Sequence, residues 1–287
     1  MQQSAQNVKK TRIMGVLNVT PDSFFDGGKY LDMSRALERA EQMLREGADI
    51  IDVGGESTRP PSTFHEKHGQ LVEVSEEEER KRVLPVLSAL LRQFPTQTLS
   101  VDTRRASIAA AAFAEGVRMV NYVTESVSPA MAKVIATHPE GSLVLCHMRG
   151  KPQSMQGGKF HNGPMIPNLR EWFHKQIALL NLYGVKDSQI IIDPGIGFGK
   201  KKPDQDFEIL LALSELKSLG YPLLIGLSRK SFMGLVLDKP ANDLLSATLA
   251  MNALCMDKGV DVIRVHDVAE HHELRTLLGA MKKEVRW

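Results

Sequence analysis

The side chains best suited to chemistry in this sequence stand at the ends of its short apolar runs. Asn18 follows Ile13 to Leu17, Glu56, Thr58 and Arg59 follow Ile50 to Val53, and Asp102 follows Thr98 to Val101. Asn121 sits within Met119 to Val123, His147 follows Leu143 to Cys146, and Asp193 follows Ile190 to Ile192. Ser228, Arg229 and Lys230 come after Leu223 to Leu227, and Arg264 and His266 close the run from Val262 to Val265. Together they offer carboxylate acceptors, amides that both give and take hydrogen bonds, and several cations. No nucleophile, base and orienter triad is evident among them. Such a set is suited to recognition by hydrogen bonding and to stabilising charge.

The elements that must hold these residues are eight strands separated by helical stretches. In Ala36, Leu37, Ala40, Met43 and Leu44 apolar residues recur three and four apart, the helical period, and Gly47 is a good stop. Similar stretches run from Ser75 to Gln93, Arg105 to Gly116, Pro129 to His138, Leu169 to Tyr183, Asp206 to Leu219, Leu244 to Gly259 and Val268 to Lys283. The strands are short, β-branched and apolar on both faces, as parallel strands covered by helices are. A doubly wound sheet also alternates strands and helices, but eight strands with polar ends predict an α/β fold of the (β/α)8 TIM-barrel type. Such barrels carry their chemistry on the C-terminal rim. Residues 1–11 read as a polar N-terminal extension and 12–287 as one barrel domain. Two connections, Gly54 to Val74 and Met148 to Asn168, are longer than ordinary βα loops and suit lids or binding loops.

Composition narrows the class. With 287 residues, 43% hydrophobic, the chain can bury a large core, and a net charge of +2 supplies no general attraction for nucleic acid. Lys200, Lys201 and Lys202 read as a solvated basic run, and Glu76 to Glu79 as the solvated start of a helix. Cys146 and Cys255 read as two buried thiols, which with the lack of a signal-like or membrane-spanning run predicts a cytoplasmic protein. His65 and His68 lie in a polar stretch without a second ligand pair and read as surface. Gly195 to Lys200 lacks the spacing of a nucleotide phosphate loop.

Four longer segments carry a resemblance. They are Met14-Gly15-Val16-Leu17-Asn18-Val19-Thr20-Pro21-Asp22-Ser23-Phe24, Ile51-Asp52-Val53-Gly54-Gly55-Glu56-Ser57-Thr58-Arg59-Pro60, Asp193-Pro194-Gly195-Ile196-Gly197-Phe198-Gly199-Lys200 and Ser228-Arg229-Lys230-Ser231. In this order, and with Arg264-Val265-His266-Asp267 beyond them, the chain resembles the dihydropteroate synthase family over almost its whole length. The resemblance implies a transferase of folate biosynthesis that joins hydroxymethyl-dihydropterin diphosphate to p-aminobenzoic acid and releases diphosphate. It also implies a homodimer and sensitivity to sulfonamides.

The residues make sense of that chemistry. A pterin edge carries amine and ring N–H donors beside a carbonyl, which Asp193, Asn121 and Lys230 can meet, and by resemblance Asp102 also faces the ring. Arg264 and His266 alternate along the last strand and so share a side, where Arg59 can join them on a diphosphate. By its place in the family pattern, Asn18 marks the Mg2+ and diphosphate site, and its amide oxygen is a ligand Mg2+ accepts. Thr58, Arg59, Pro60, Phe198, Lys230 and Ser231 match positions that frame the p-aminobenzoic acid pocket in the family. The implied catalytic set is Asp102, Lys230, Arg59 and Asp22, acting in a dissociative substitution, with the loops around Asp22 and Thr58 closing over the intermediate.

The chain departs from the family pattern at Tyr122, where an aspartate is usual, and at Pro61, where a glycine is usual. Alternation along the strand predicts that Tyr122 points away from Asn121. Two other readings share part of the pattern. A methyltetrahydrofolate-handling barrel of a corrinoid methyltransferase would share Asp102, Asn121 and Asp193 but lack the segments Thr20 to Phe24 and Ser228 to Ser231. A pterin-binding paralogue without catalysis would retain the pocket.

Overall fold

Short apolar strands that must bury both faces, joined by helices too long for hairpins, leave parallel crossover topology as the economical solution. The computed structural model describes residues 10–19, 29–55, 74–150, 163–200 and 203–284. The first half runs β1 (Arg12–Asn18), α1 (Lys29–Arg45), β2 (Ile50–Gly54), α2 (Glu76–Gln93), β3 (Thr98–Asp102), α3 (Ala106–Glu115), β4 (Met119–Thr124) and α4 (Pro129–Ala136). The second half runs β5 (Ser142–His147), α5 (Met165–Leu182), β6 (Ile190–Asp193), α6 (Asp204–Leu211), α7 (Leu213–Lys217) and β7 (Leu224–Ile225). It ends with α8 (Ser231–Leu237), α9 (Leu245–Asp257), β8 (Val262–Val265) and α10 (Val268–Glu284). The strands form one parallel sheet in the order β6-β5-β4-β3-β2-β1-β8-β7, and a parallel bridge between Ile192 and Leu223 joins its ends. Eight parallel strands closed on themselves make the (β/α)8 barrel that the sequence predicts.

Strand alternation divides the core in two. Outward residues such as Ile13, Ile51, Val101, Val120, Leu145 and Ile263 pack against the helices in one continuous layer. Inward residues Met14, Ile50, Met119, Val144, Leu224 and Val262 form a separate plug near the N-terminal end of the barrel. Each such side chain contributes about 1.5–3 kcal/mol when fully buried. The plug seals the bottom, so polar side chains further along the same strands can meet only at the C-terminal mouth.

Local signals set the helix ends. Ser75 accepts a hydrogen bond from the Glu78 amide (3.2 Å) at the start of α2, and Ser128 accepts one from the Met131 amide (3.2 Å) before Pro129 opens α4. Gly116, at φ +111°, stops α3 in the left-handed conformation. Tyr122 points outward into the core, and its hydroxyl accepts a hydrogen bond from the Ser128 amide (3.2 Å), so it caps a loop and leaves Asn121 inside the barrel.

The structure corrects four sequence expectations. Glu79 is not solvated: it is 1% exposed, accepts a hydrogen bond from Thr103 Oγ1 (2.6 Å) and pairs with Arg105, tying α2 to the turn after β3. The stretch from Asp206 to Leu219 is two helices, because Ala212 leaves helical geometry (φ −103°, ψ 23°), although the apolar spacing continues across the bend. β7 is only two residues long, and Gly226 departs from it. The helix α8 is absent from the sequence expectation. It spans seven residues, burying Phe232 and Met233 and exposing Leu235 and Val236, too short a run to show a clear period.

Candidate active site

Register brings the strand-end residues into contact. Asn18 pairs across the sheet with Gly54, Gly54 with Asp102, and Asp102 with Asn121, so one row of the mouth runs over four strands. Further round the sheet Cys146 of β5 is level with Asp193 of β6. Gly54 lies between the two rim residues on either side of it: a Cβ there would stand in ordinary contact with Asp102 Cβ (3.4 Å) and Asn18 Oδ1 (3.8 Å). The rim encloses a cavity open to solvent, lined on its polar side by Asp102, Asn121, Asp193, Lys230, Arg264 and His266. Phe198, Val123 and Cys146 give it an apolar side. A concave site with an apolar side and a few converging polar groups suits a small flat molecule.

Arg264 is the electrostatic centre. Its Nε lies 2.7 Å from Asp52 Oδ2 and its Nη2 2.9 Å from Asp102 Oδ2. Burial disfavours its charge, but the two carboxylates outweigh that and hold its pKa above the ordinary arginine value. Asp52 was not expected in the site. It lies inside the apolar run Ile50 to Val53, one inward position below Gly54, and is fully buried, accepting from Asn121 Nδ2 (3.1 Å) as well as from Arg264. Alternation was the available signal: an aspartate within a buried strand must point into the barrel or into the helix layer, and either position demands a partner.

Asp193 is 5% exposed and accepts a hydrogen bond from the Gly195 amide (2.8 Å). Burial raises its pKa, against the pull of that amide and of Lys230. Beside it the Cys146 thiol is pushed well up by burial, so it is a neutral wall group rather than a nucleophile. Lys230 reaches across from the start of α8, its Nζ 2.6 Å from Ile196 O and 3.7 Å from the centroid of the Phe198 ring. Burial lowers its pKa to about 8. Ser228 Oγ lies 2.9 Å from His266 Nδ1 and fixes the imidazole just beyond β8, while Arg229 clasps Asp267 (2.7 Å). Arg229 sits at φ 55°, a rare conformation for a side-chain-bearing residue, and that clasp anchors the turn that aims Lys230.

The segment from Gly195 to Lys200 is a clasp rather than a phosphate loop. Gly195 and Gly199 sit at φ +68° and +64°, where a Cβ would lie 1.9 Å from His147 O and 2.2 Å from Arg149 O respectively. Lys200, expected on the surface, is 2% exposed instead. Its ammonium spans His147 Nδ1 (2.8 Å), Gly195 O (2.9 Å) and Phe198 O (3.0 Å), and burial lowers its pKa to about 8. The basic run concealed this, because the adjacent lysines make a solvated patch the natural reading. Lys200 closes the loop onto β5 and thereby sets Phe198 over Lys230.

Of the expected site residues, Asp102, Asn121, Asp193, Phe198, Lys230, Arg264 and His266 come together around the cavity. Ser231 opens α8 next to Lys230, and Asn18 stands on the adjoining rim. Asp22, Glu56, Thr58, Arg59 and Pro60 lie outside the described residues, as do Pro61, His65, His68, Lys201 and Lys202. Among the described residues no cluster of three or more histidine, cysteine or acidic side chains is built to hold a metal, and no helix is long and apolar enough to cross a membrane. Cys146 and Cys255 are buried and unpaired with each other.

Fold and site together define a TIM-barrel enzyme with its chemistry at the C-terminal mouth. The family described as "Pterin binding enzyme" matches residues 14–266. The dihydropteroate synthase of Synechocystis is 41% identical over 261 residues, covering 91% of this chain and 86% of that protein. A Clostridium difficile dihydropteroate synthase crystallised with pteroic acid superposes with a TM-score of 0.84 at 38% identity, covering 96% of this chain and 98% of that one. A Yersinia pestis dihydropteroate synthase in complex with a sulfonamide drug superposes with a TM-score of 0.85 at 34% identity, covering 99% of this chain and all (100%) of that one. The chain belongs to the dihydropteroate synthase family of pterin-binding enzymes.

Proposed function

We propose that this chain condenses 6-hydroxymethyl-7,8-dihydropterin diphosphate with p-aminobenzoic acid, giving 7,8-dihydropteroate and diphosphate in folate biosynthesis. The observation that carries the reading is a single cavity with two chemically opposite parts. One wall offers Asp193, Asn121 and Lys230 to a heteroaromatic edge, and the other offers Arg264 and His266 to an anion. Family membership supplies the identity of both substrates.

The substitution is dissociative. The pterin methylene loses diphosphate to give a ring-stabilised cation; the arylamine nitrogen attacks it, forming the C–N bond, and the resulting ammonium gives up one proton to solvent. An arylamine is neutral near pH 7, so the site needs no strong base. Asp102 lies beside the cavity, where its carboxylate stabilises the developing positive charge, while Arg264, His266 and Arg59 stabilise the departing diphosphate. Asp193 and Asn121 hold the pterin edge, and Lys230 donates to its carbonyl. By their match to the family pattern, Thr58, Arg59, Pro60, Phe198, Lys230 and Ser231 are assigned to the arylamine, and Asp22 to the catalytic set.

Mg2+ fits the rim on the chemistry of its donors. Asn18 Oδ1, on the rim beside Gly54, is a hard oxygen of the kind Mg2+ takes together with water and phosphate oxygens, so few protein ligands are required. When bound, the ion supplies charge neutralisation at the diphosphate.

The reading places the protein in the cytoplasm, as two buried thiols without a disulfide suit, and assigns it no nucleic-acid partner. It also makes the chain a homodimer through outer helices, where Leu235 and Val236 of α8 and Leu254 of α9 are exposed apolar side chains. Sedimentation at micromolar concentration should give twice the chain mass, and a monomer there would contradict the dimer.

Sulfonamides should compete with p-aminobenzoic acid, because they share its aniline and its polar para group, and Phe198 and Lys230 stand together in the assigned pocket. In steady-state assays the drug should raise the apparent KM for p-aminobenzoic acid and leave kcat unchanged. Inhibition that excess p-aminobenzoic acid does not relieve would count against this pocket assignment.

A further inference from the structure

The acceptor wall of the cavity has a direction built into it from below. Asp52 is fully buried one inward position beneath the mouth, and its Oδ2 takes the Arg264 Nε–H (2.7 Å) and the Asn121 Nδ2–H (3.1 Å) together. A carboxylate ion-paired with a guanidinium has no proton to give, so only the NH2 end of Asn121 can face it. Asn121 Oδ1 is thereby turned away from Asp52, and it is a buried oxygen without a hydrogen-bond partner. A buried amide oxygen in that state awaits a donor. Asn121 and Asp193 both line the cavity, at 3% and 5% exposure.

We infer that Asp52 is a positioning residue that sets substrate specificity, by fixing Asn121 so that its oxygen faces the ligand. An asparagine alone could serve a donor or an acceptor on the ligand. With Asp52 beneath it, Asn121 joins Asp193 in a wall made of acceptors, which selects a heteroaromatic edge carrying an exocyclic amine and ring N–H and rejects one bearing a carbonyl there. The inference rests on the pterin reading above and specifies how that reading achieves selectivity. A ligand carrying a carbonyl at that edge would leave buried acceptors facing one another, the arrangement that hydrogen-bonding sites reject most strongly.

The test is calorimetric binding, with Mg2+ present, of 6-hydroxymethylpterin diphosphate and of its 2-oxo counterpart, in which the exocyclic amine is replaced by a carbonyl. Wild-type protein should prefer the amine by at least about a hundredfold. Asp52→Asn supplies an amide that can donate to a reversed Asn121, so the preference should shrink by about tenfold. In an Asn121→Ala background the same substitution should change the preference no further, which separates positioning of Asn121 from a general loss of structure. Should Asp52→Asn not fold, Asp52→Ser, which also removes the acceptor-only group, takes its place. An unchanged preference in the position-52 variant, or an equal drop in the Asn121→Ala background, overturns the inference while the pterin reading stands. Wild-type protein that binds neither compound overturns the pterin reading itself, and this inference with it.

Discussion

Lys230→Ala should lower kcat/KM for the pterin diphosphate about a hundredfold while leaving the fold intact. Lys230 is the cation of the acceptor wall, seated between Ile196 O and the Phe198 ring at the point where both substrate pockets meet. A charge-assisted hydrogen bond contributes about 1.5–3 kcal/mol, which sets the size of the loss. Stability should respond little, because burial already disfavours this ammonium and lowers its pKa to about 8. The sign follows from proton counting. Between pH 8 and the ordinary lysine value of 10.5 the unfolded chain holds more protons at this residue than the folded one, so stability rises with pH across that window. Lys200 behaves in the same way, so the variant should keep about half of that slope. Binding runs the other way: wild-type affinity for the pterin diphosphate should fall as pH passes about 8, and Lys230→Arg should move that limb to higher pH. Unchanged kinetics in Lys230→Ala would remove this residue from the site.

Arg264→Ala should have the largest effect on stability, a loss of about 3–5 kcal/mol by chemical denaturation at pH 7. Its guanidinium is the shared partner of Asp52, which is fully buried, and Asp102, whose side chain is 11% exposed. Removing it strands two carboxylates near one another inside the barrel, which costs more than the pair itself contributes. Catalysis should fail even where the variant folds, because the cavity loses its principal cation for diphosphate. Arg264→Lys should recover part of the stability but not the paired geometry, since an ammonium is not a planar fork that bonds Asp52 and Asp102 together. A variant as stable as the wild type would show that Asp52 and Asp102 do not depend on this charge.

The residues that were legible in the sequence share one property. Asp102, Asp193, Arg264 and His266 stand in the last two positions of apolar strands or just beyond them, and parallel register, which turns order along the chain into proximity in space, sets Asn121 level with Asp102. Lys230 was legible through its motif, and the whole barrel through the strand count. What the sequence concealed depends on long-range partners. Asp52 was hidden within an apolar run because its partner Arg264 is 212 residues away, and Lys200 because its acceptors include His147, 53 residues earlier. Glu79 stands among acidic neighbours in the sequence, although its own burial and its pair with the partly buried Arg105 single it out. The helix α8 is too short for a period to show, and the bend at Ala212 interrupts an apolar spacing that itself runs on.

The most direct test of the account is to incubate the purified chain with 6-hydroxymethyl-7,8-dihydropterin diphosphate, p-aminobenzoic acid and Mg2+, and to follow 7,8-dihydropteroate by mass spectrometry alongside diphosphate release. The account predicts equal amounts of the two products, with dihydropteroate absent when either substrate is omitted and Tyr122 tolerated as an outward-facing cap. Tight pterin diphosphate binding with no dihydropteroate would contradict it and mark the chain as a pterin-binding barrel that does not carry out the condensation.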